Sequence, residues 1–248
     1  MQAVQRFAGH IESVRGLMSF DRDVLDFAIN SVNELQTRLT SLGVDNPRLA
    51  ATSTLQALRQ VRANDSLRSR YESIFNQALV LLVSYFSSVM DDLFRRGTEY
   101  AISRSEDSEL LRQEVKVSVR ELKELGGDFS RAIPELLIHT KDISFQDMQS
   151  IARAFRAYLD AGVERGEVTN DIIVGQACRH CIVHAGAIAD GKLIKQVESA
   201  SPRRVKTEIH LGDRVQFTPE EVEAVGEAML SYINTLSKQI SAKVGQEV

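Results

Sequence analysis

The sequence contains little of what marks secreted, membrane-spanning or disordered proteins. It has no tryptophan, two cysteines and four prolines in 248 residues. Two cysteines cannot form a disulfide framework, and so few prolines beside 43% hydrophobic residues argue against disorder. The N-terminus lacks a signal-peptide pattern, and the most apolar run, residues 78–83, is far shorter than the ~20 residues of a membrane span. A helix-rich, cytoplasmic protein with reduced thiols is expected.

Positive charge is not in excess, since the formal net charge is -4. A chain of this charge cannot coat a nucleic acid by electrostatics alone, so RNA binding would require a local basic patch. One basic cluster lies within residues 192–206, where Glu198 is the single acid, and a second lies within residues 59–70. An ordinary solvated face is the alternative for both. The first cluster, which is the predicted RNA-binding surface, contains Lys192, Lys195, Arg203, Arg204 and Lys206.

Apolar residues recur at steps of three and four, which is typical of amphipathic helices. The longest such segment, residues 67–100, has the widest apolar surface and is expected at the centre of the core. The heptad-like stripe in residues 21–42 is either a partner-binding seam or, as is more common, intramolecular packing. The spacing predicts helices over residues 21–42, 48–62, 67–100, 103–125, 144–166 and 218–240, and one that begins near Asn170.

Only one segment has a pattern typical of β structure. Residues 205–209 and 214–217 alternate around a Leu-Gly-Asp turn, which predicts a short β-hairpin. The last helix follows it, with Thr218 as N-cap, Pro219 in the first turn and Glu221 completing a capping box. The predicted fold class is therefore mostly α, a helical bundle with a short β-hairpin before the last helix. Residues 1–66 form an N-terminal helical extension and residues 67–248 the main helical domain.

The helix near residues 172–190 is apolar on nearly every side, so we expect it to be buried by its own core and by a second subunit. Four polar residues interrupt it: Gln176, Arg179, His180 and His184. On an ideal helix they lie within an arc of about 140° and form one polar stripe. A buried arginine is costly unless an anion or acceptor pairs with it, so phosphate is the expected ligand.

Arginine and histidine together are sufficient for one type of RNA cleavage. In internal transfer the ribose 2'-OH attacks the adjacent phosphate. An imidazole can move the protons near neutral pH, and a guanidinium can stabilise the charge that develops on the phosphate without a metal. Arg179 and His184 are the predicted catalytic residues, with His180 and Gln176 in support. No cofactor and no metal are expected.

The segment Arg179–Gly186 resembles the R-x4-H signature of the HEPN superfamily, the higher eukaryote and prokaryote nucleotide-binding proteins. Similar proteins have a long upstream helix like residues 78–94, then the motif helix, a gapped hairpin and a last helix that opens like residues 217–221. The resemblance covers about residues 67–245. It is closest to HEPN proteins of the MAE and RiboL-PSP type.

This resemblance implies a helical bundle that dimerises through the motif helix, with RNA as substrate. It also implies a metal-independent endoribonuclease of a toxin–antitoxin or anti-phage system, which a cognate antitoxin or regulatory protein would restrain. Two positions depart from the family pattern. Ala185 stands where a polar Asn often follows the motif histidine, and Ser87 stands where the long helix often has an acidic residue. Asp91, one turn further on, would then supply the supporting carboxylate.

Other readings of the same residues are less favoured. Cys178 and Cys181 form a C-x-x-C pair that could bind zinc or do redox chemistry, but the chain has no second cysteine pair. No Gly-rich phosphate loop of the G-x-x-x-x-G-K form is present. The main alternative is a catalytically inactive HEPN-like dimer that binds RNA, a nucleotide or a partner protein as a scaffold or antitoxin. A purely structural helical adaptor is the third reading.

Overall fold

The computed structural model describes residues 2–43, 50–63, 72–104, 109–115, 117–124 and 132–244. These residues are mostly helical, as predicted, and contain no named β-strand. The boundary predicted between residues 66 and 67 lies outside the described residues. The helices are α1 (Gln2–Ser41), α2 (Ala50–Ala63), α3 (Glu72–Arg104), a 3-10 helix (Glu109–Arg112), α4 (Val119–Glu124), α5 (Ile133–Thr140), α6 (Met148–Leu159), α7 (Glu167–His184), α8 (Gly191–Ser199) and α9 (Pro219–Val244).

Helix α3 is the central element of the core, as its apolar pattern predicts. It contacts α1, α5, α6, α7 and α9. Phe86 is fully buried at its middle and meets the rings of Phe7 from α1 and Tyr232 from α9 edge to face. Residues 73–103 are long and apolar enough to cross a membrane by length and composition. That is weak evidence for a span, because the buried core helix of a soluble protein has the same composition.

Helix α1 begins much earlier than the predicted residue 21. Its first half carries Phe7, Ile11 and Val14 into the main core beside α3 and α9. Its second half packs on α2, where Ile29 and Leu55 are buried outside that core. The helix ends at Ser41, just before Gly43, whose φ of 72° requires the left-handed conformation that glycine adopts readily.

The heptad-like stripe of residues 21–42 is only half covered. Leu25, Val32 and Leu39 are partly buried, whereas Leu35 and Leu42 are 53% and 75% exposed. Packing on α2 therefore accounts for part of the stripe. Its role as a partner-binding seam stays a prediction.

The start of α9 follows the predicted capping box. The Thr218 hydroxyl accepts the backbone N–H of Glu221 at 3.2 Å, and the Glu221 carboxylate accepts the backbone N–H of Thr218 at 3.2 Å. Two backbone donors that have no partner within the helix are satisfied reciprocally. The sequence predicted this end of the helix correctly because a capping box involves only neighbouring residues.

Helix α6 is shorter than predicted at both ends. It begins after Asp147, whose carboxylate accepts the backbone N–H groups of Gln149 and Ser150, so Asp147 and not Ser144 is the N-cap. It ends at Leu159, because Asp160 turns into the left-handed conformation with φ of 46°. The predicted end near Gly166 instead precedes α7.

The helix predicted over residues 103–125 does not form as one element. The described part has the 3-10 helix, an irregular stretch at residues 113–115 and 117–118, and then α4. Val115, Val117 and Val119 alternate with polar residues, and such β-branched alternation favours extended backbone over helix. The predicted stop at Gly126 and Gly127 lies outside the described residues.

The structure does not confirm the predicted β-hairpin. Residues 205–209 do not pair with residues 214–217. Instead, Val215 N–H donates to the Ala187 carbonyl and Ala189 N–H donates to the Asp213 carbonyl, both at 2.8 Å, forming an isolated antiparallel bridge between Ile188 and Arg214. The pairing partner is the turn that follows α7, which local alternation cannot reveal.

Candidate functional site

Helix α7 carries the predicted motif and begins at Glu167, three residues before the expected start. Residues 169–172 and 174–178 are buried in the core. Gly175 permits close contact with α9, since a Cβ there would lie 3.0 Å from a Val225 methyl group. From Arg179 onward the helix surfaces, and His180, Val183 and His184 are exposed. The buried half of α7 therefore positions the polar residues of its last turns.

Asp171 anchors the start of α7 to the segment after α8. Its side chain is fully buried, and its carboxylate accepts the Arg204 Nε–H at 2.8 Å and the backbone N–H of Arg204 at 2.8 Å. The backbone N–H of Val205 also donates to it, at 3.4 Å. A buried carboxylate with these donors is well compensated.

Arg179 lines a cavity of about 270 Å³ between α3, α6 and α7. Its Nε–H is buried and has no hydrogen-bond partner, and the same is true of the Gln176 Nε2 group, on a residue only 8% exposed. Two buried donors without acceptors would each cost about 1–3 kcal/mol, so the cavity favours an anion or another acceptor group. The remaining lining residues are Val83, Ser84, Ser87, Gln146, Asp147 and His180.

No carboxylate compensates the Arg179 guanidinium among the described residues. Ser87, which stands at the position where a supporting acidic residue is frequent in the predicted family, lines the cavity. Its hydroxyl donates to the Val83 carbonyl at 3.0 Å. Asp91 does not line the cavity; its carboxylate pairs with Arg95 at 2.7 Å. Asp147, the one acid in the lining, already caps α6. Arg179 therefore makes no ion pair among the described residues.

The two histidines of the stripe contact each other at the exposed end of α7. Their ring centroids lie 4.8 Å apart with planes inclined by 48°. His180 lines the Arg179 cavity, whereas His184 is not among the lining residues. His180 thus lies between the two predicted catalytic groups. Arg179 and His184 are on the same stripe, but the described lining of the Arg179 cavity does not include His184.

The pKa of His180 is lowered from its usual value. Loss of hydration is the largest cause, followed by the positive charges of Lys192, His184 and Arg179, while Asp190 opposes them. The lowered pKa favours the neutral imidazole, which is the form able to accept a proton.

Replacing Lys192 with Gln should raise the pKa of His180, because a positive charge that disfavours the imidazolium is removed. An NMR titration of the histidine ring protons measures the change. Lys195→Gln, three residues further along α8, is the control. An unchanged His180 titration in Lys192→Gln would show that Lys192 does not face the imidazole.

A larger groove of about 1020 Å³ adjoins the Arg179 cavity and lies between α6, α7 and α8. Both recesses share Gln146, Asp147, Gln176 and His180 as lining residues. The sequence analysis did not predict this groove. The i, i+3 spacing of Arg153 and Arg156 nevertheless indicates one cationic face on α6. Its basic lining residues are Arg153, Arg156, Arg165 and Lys192.

The basic cluster predicted at residues 192–206 is divided by the fold. The Arg203 guanidinium donates to backbone carbonyl groups, and Arg204 pairs with Asp171. Lys206 pairs with Glu221 and lies 4.3 Å from the Phe217 ring centroid. Arg204 and Lys206 therefore have ion-pair partners within the chain, whereas the partners of Arg203 are neutral carbonyl groups.

The remaining two residues of that cluster lie on α8. Lys192 lines the groove, whereas Lys195 is exposed and does not line it. Neither ammonium group has an ion-pair partner among the described residues. The structure therefore gives these two lysines, three positions apart, different surroundings.

The cysteines are buried thiols. Burial raises the pKa of Cys178 to about 12 and also raises the pKa of Cys181, whose Sγ–H donates to the Ile188 carbonyl at 3.1 Å. Because a thiolate is required for metal binding and redox exchange, these values disfavour the C-x-x-C alternative. Within the described part of the chain, no group of three or more His, Cys, Asp and Glu side chains could hold a metal ion.

Alkylation provides a test of that burial. In the native protein at neutral pH, iodoacetamide should modify Cys178 and Cys181 far more slowly than in denaturant, because both thiols are protonated and shielded. Peptide mass spectrometry after timed quenching gives the two rates. Equal rates in the native and denatured protein would contradict the structure at this helix.

No known protein family, curated protein or solved structure gives a match to the chain.

Proposed function

We propose that the chain is a metal-independent endoribonuclease whose reaction occurs at the polar stripe of α7. The supporting observation is that two side chains lining the cavity, Arg179 and Gln176, each carry a buried nitrogen, Nε and Nε2, that has no hydrogen-bond partner. A phosphodiester supplies oxygen acceptors for these two donors and a negative charge that pairs with the Arg179 guanidinium. A guanidinium binds phosphate with two parallel hydrogen bonds, which also fixes the orientation of the phosphate.

The proposed reaction is an internal transfer within RNA. His184 accepts the proton of the ribose 2'-OH, the 2'-oxygen attacks the adjacent phosphorus, and the bond from phosphorus to the 5'-oxygen breaks. The 5'-oxygen takes a proton from water as it leaves, and the hydroxide that forms takes the proton from His184 and restores the neutral imidazole. The products are a 2',3'-cyclic phosphate and a 5'-hydroxyl end. Arg179 stabilises the charge on the phosphate oxygens in the transition state, and His180 orients His184 through their ring contact.

The proposal includes a homodimer formed through the exposed end of α7. Val183 and Ile188 are apolar and 47% and 46% exposed on either side of His184. A second copy packed there would bring its own stripe close to the first. That arrangement offers a route for Arg179 and His184 of different copies to act on one phosphate, which a single chain does not provide.

Cleavage in the presence of EDTA tests this function. Purified protein is incubated with labelled single-stranded RNA, and the ends of the products are identified by mass spectrometry. We expect cyclic phosphate and 5'-hydroxyl ends from a protein whose mass in solution is that of a dimer. Intact RNA, or products with 5'-phosphate ends, would overturn the mechanism.

The second candidate is a catalytically inactive dimer that binds RNA, a nucleotide or a partner protein. The observation in its favour is that His184 does not line the Arg179 cavity. RNA binding without cleavage would identify it. An active toxin or anti-phage effector in the cytoplasm should also impair growth of cells that express it, and His184→Ala should relieve the impairment; an inactive scaffold or antitoxin would show no such difference.

A further inference from the structure

We propose that the groove between α6, α7 and α8 binds the phosphate backbone of single-stranded RNA and leads it to the Arg179 cavity. This inference rests on the proposed function, because it names the path of the same substrate, but its test does not require cleavage. The groove is a large recess that adjoins the cavity and has a volume of about 1020 Å³. It is formed by one chain and does not depend on the dimer.

The groove is lined mainly by positive charge. Among the described residues, none of its four cations makes an ion pair, and its one carboxylate, Asp147, is held by backbone N–H groups at the start of α6. Arg156 and Arg165 donate to the carbonyls of Val163 and Ser199, which orients their guanidinium groups without neutralising them. Four cations that make no ion pair, against one carboxylate, give the groove a positive charge within a protein of net charge -4 and form a local site for a polyanion.

The shape of the groove favours a single strand. The groove is a recess within one chain, whereas a duplex is a stiff rod. Gln176 lies where the groove meets the Arg179 cavity and is only 8% exposed. The flexible backbone of an unpaired strand can bring a phosphate to this position. A duplex would have to remain on the rim.

The lining also predicts what kind of recognition occurs. No Phe, Tyr or Trp side chain lines the described groove, so it has no aromatic surface of those types for stacking bases. Contacts to phosphate would dominate instead. Binding should therefore tolerate different sequences and depend strongly on salt.

The matched pair of lysines on α8 gives a sharp test. Binding of a fluorescent single-stranded RNA of about 12 nucleotides is measured by polarisation in the His184→Ala background, so that the RNA stays intact. Salt is varied from about 50 to 200 mM. Arg153→Gln and Lys192→Gln are compared with Lys195→Gln, which changes a lysine outside the groove.

We expect Arg153→Gln and Lys192→Gln each to weaken binding about tenfold and to reduce the slope of log affinity against log salt by about 0.7. Lys195→Gln should leave both values unchanged, and a duplex of the same sequence should bind more weakly. Equal losses in Lys192→Gln and Lys195→Gln, tighter duplex binding, or no RNA binding would overturn the groove proposal. RNA that binds as expected to a wild-type protein that never cleaves would retain the groove and reject only the nuclease.

Discussion

Replacing His184 with Ala is expected to lower the rate of RNA cleavage by about 10²–10⁴-fold, because a general base contributes a factor of this size. Arg179→Ala should cost a similar factor, about 10²–10³-fold, through loss of charge stabilisation. Arg179→Lys keeps the charge but not the planar pair of donors, so it should recover only part of the activity. Single-turnover cleavage of labelled RNA in EDTA measures all three rates.

The double variant and a control outside the site complete that experiment. If Arg179 and His184 act in the same step, the double variant should lose far less than the product of the single losses. Lys238→Gln, an exposed change on α9, should cleave like the wild type. Wild-type rates in both single variants, with circular dichroism and elution volume unchanged, would show that the R-x4-H stripe is not catalytic.

Replacing Asp171 with Ala should lower the free energy of unfolding by about 3 kcal/mol, near the lower end for breaking a buried ion pair. The lower end applies because Asp171 is fully buried but Arg204 is 40% exposed, so water can partly rehydrate the guanidinium. The backbone N–H groups of Arg204 and Val205 would also lose their acceptor. For a chain of this length, the expected fall in Tm is about 6–12 °C by calorimetry.

Glu167→Gln is the matched control for that measurement. Glu167 lies on the same helix, 3.5 Å from the same Arg204 nitrogen, but its side chain is 51% exposed. Exposed ion pairs contribute little, so a change below about 0.5 kcal/mol is expected. Equal effects of the two substitutions would mean that the buried hydrogen bonds of Asp171 do not stabilise the fold.

The sequence predicted those parts of the fold that depend on neighbouring residues. The capping box at Thr218 and the long apolar pattern of α3 are local signals, and both are confirmed. The β-hairpin was inferred from local alternation, but residue 214 pairs with Ile188, which is distant in sequence. The first half of α1 was missed because Gly9 and Gly16 weaken its helix propensity, and packing on α3 and α9 overrides that weakness.

The sequence predicted only part of the candidate site, because the rest depends on contacts between helices. Helical spacing places Gln176, Arg179, His180 and His184 on one stripe, and that inference needs only one element. Which side chains face Arg179 depends on how α3 and α6 pack on α7. The groove joins Arg153 on α6 to Lys192 on α8, and no pattern within either helix indicates that they line one recess.

The two halves of helix α1 are stabilised by different parts of the fold. Residues 2–18 are held by the main core, whereas the second half of the helix is held mainly by α2. Opening of the second half with α2 therefore exposes little of the main core and should require much less free energy than global unfolding. Amide protons of residues 24–41 should exchange with deuterated solvent well before those of residues 5–15. The helix would then belong to two cooperative units, with hydrogen bonds of similar geometry but unequal lifetimes.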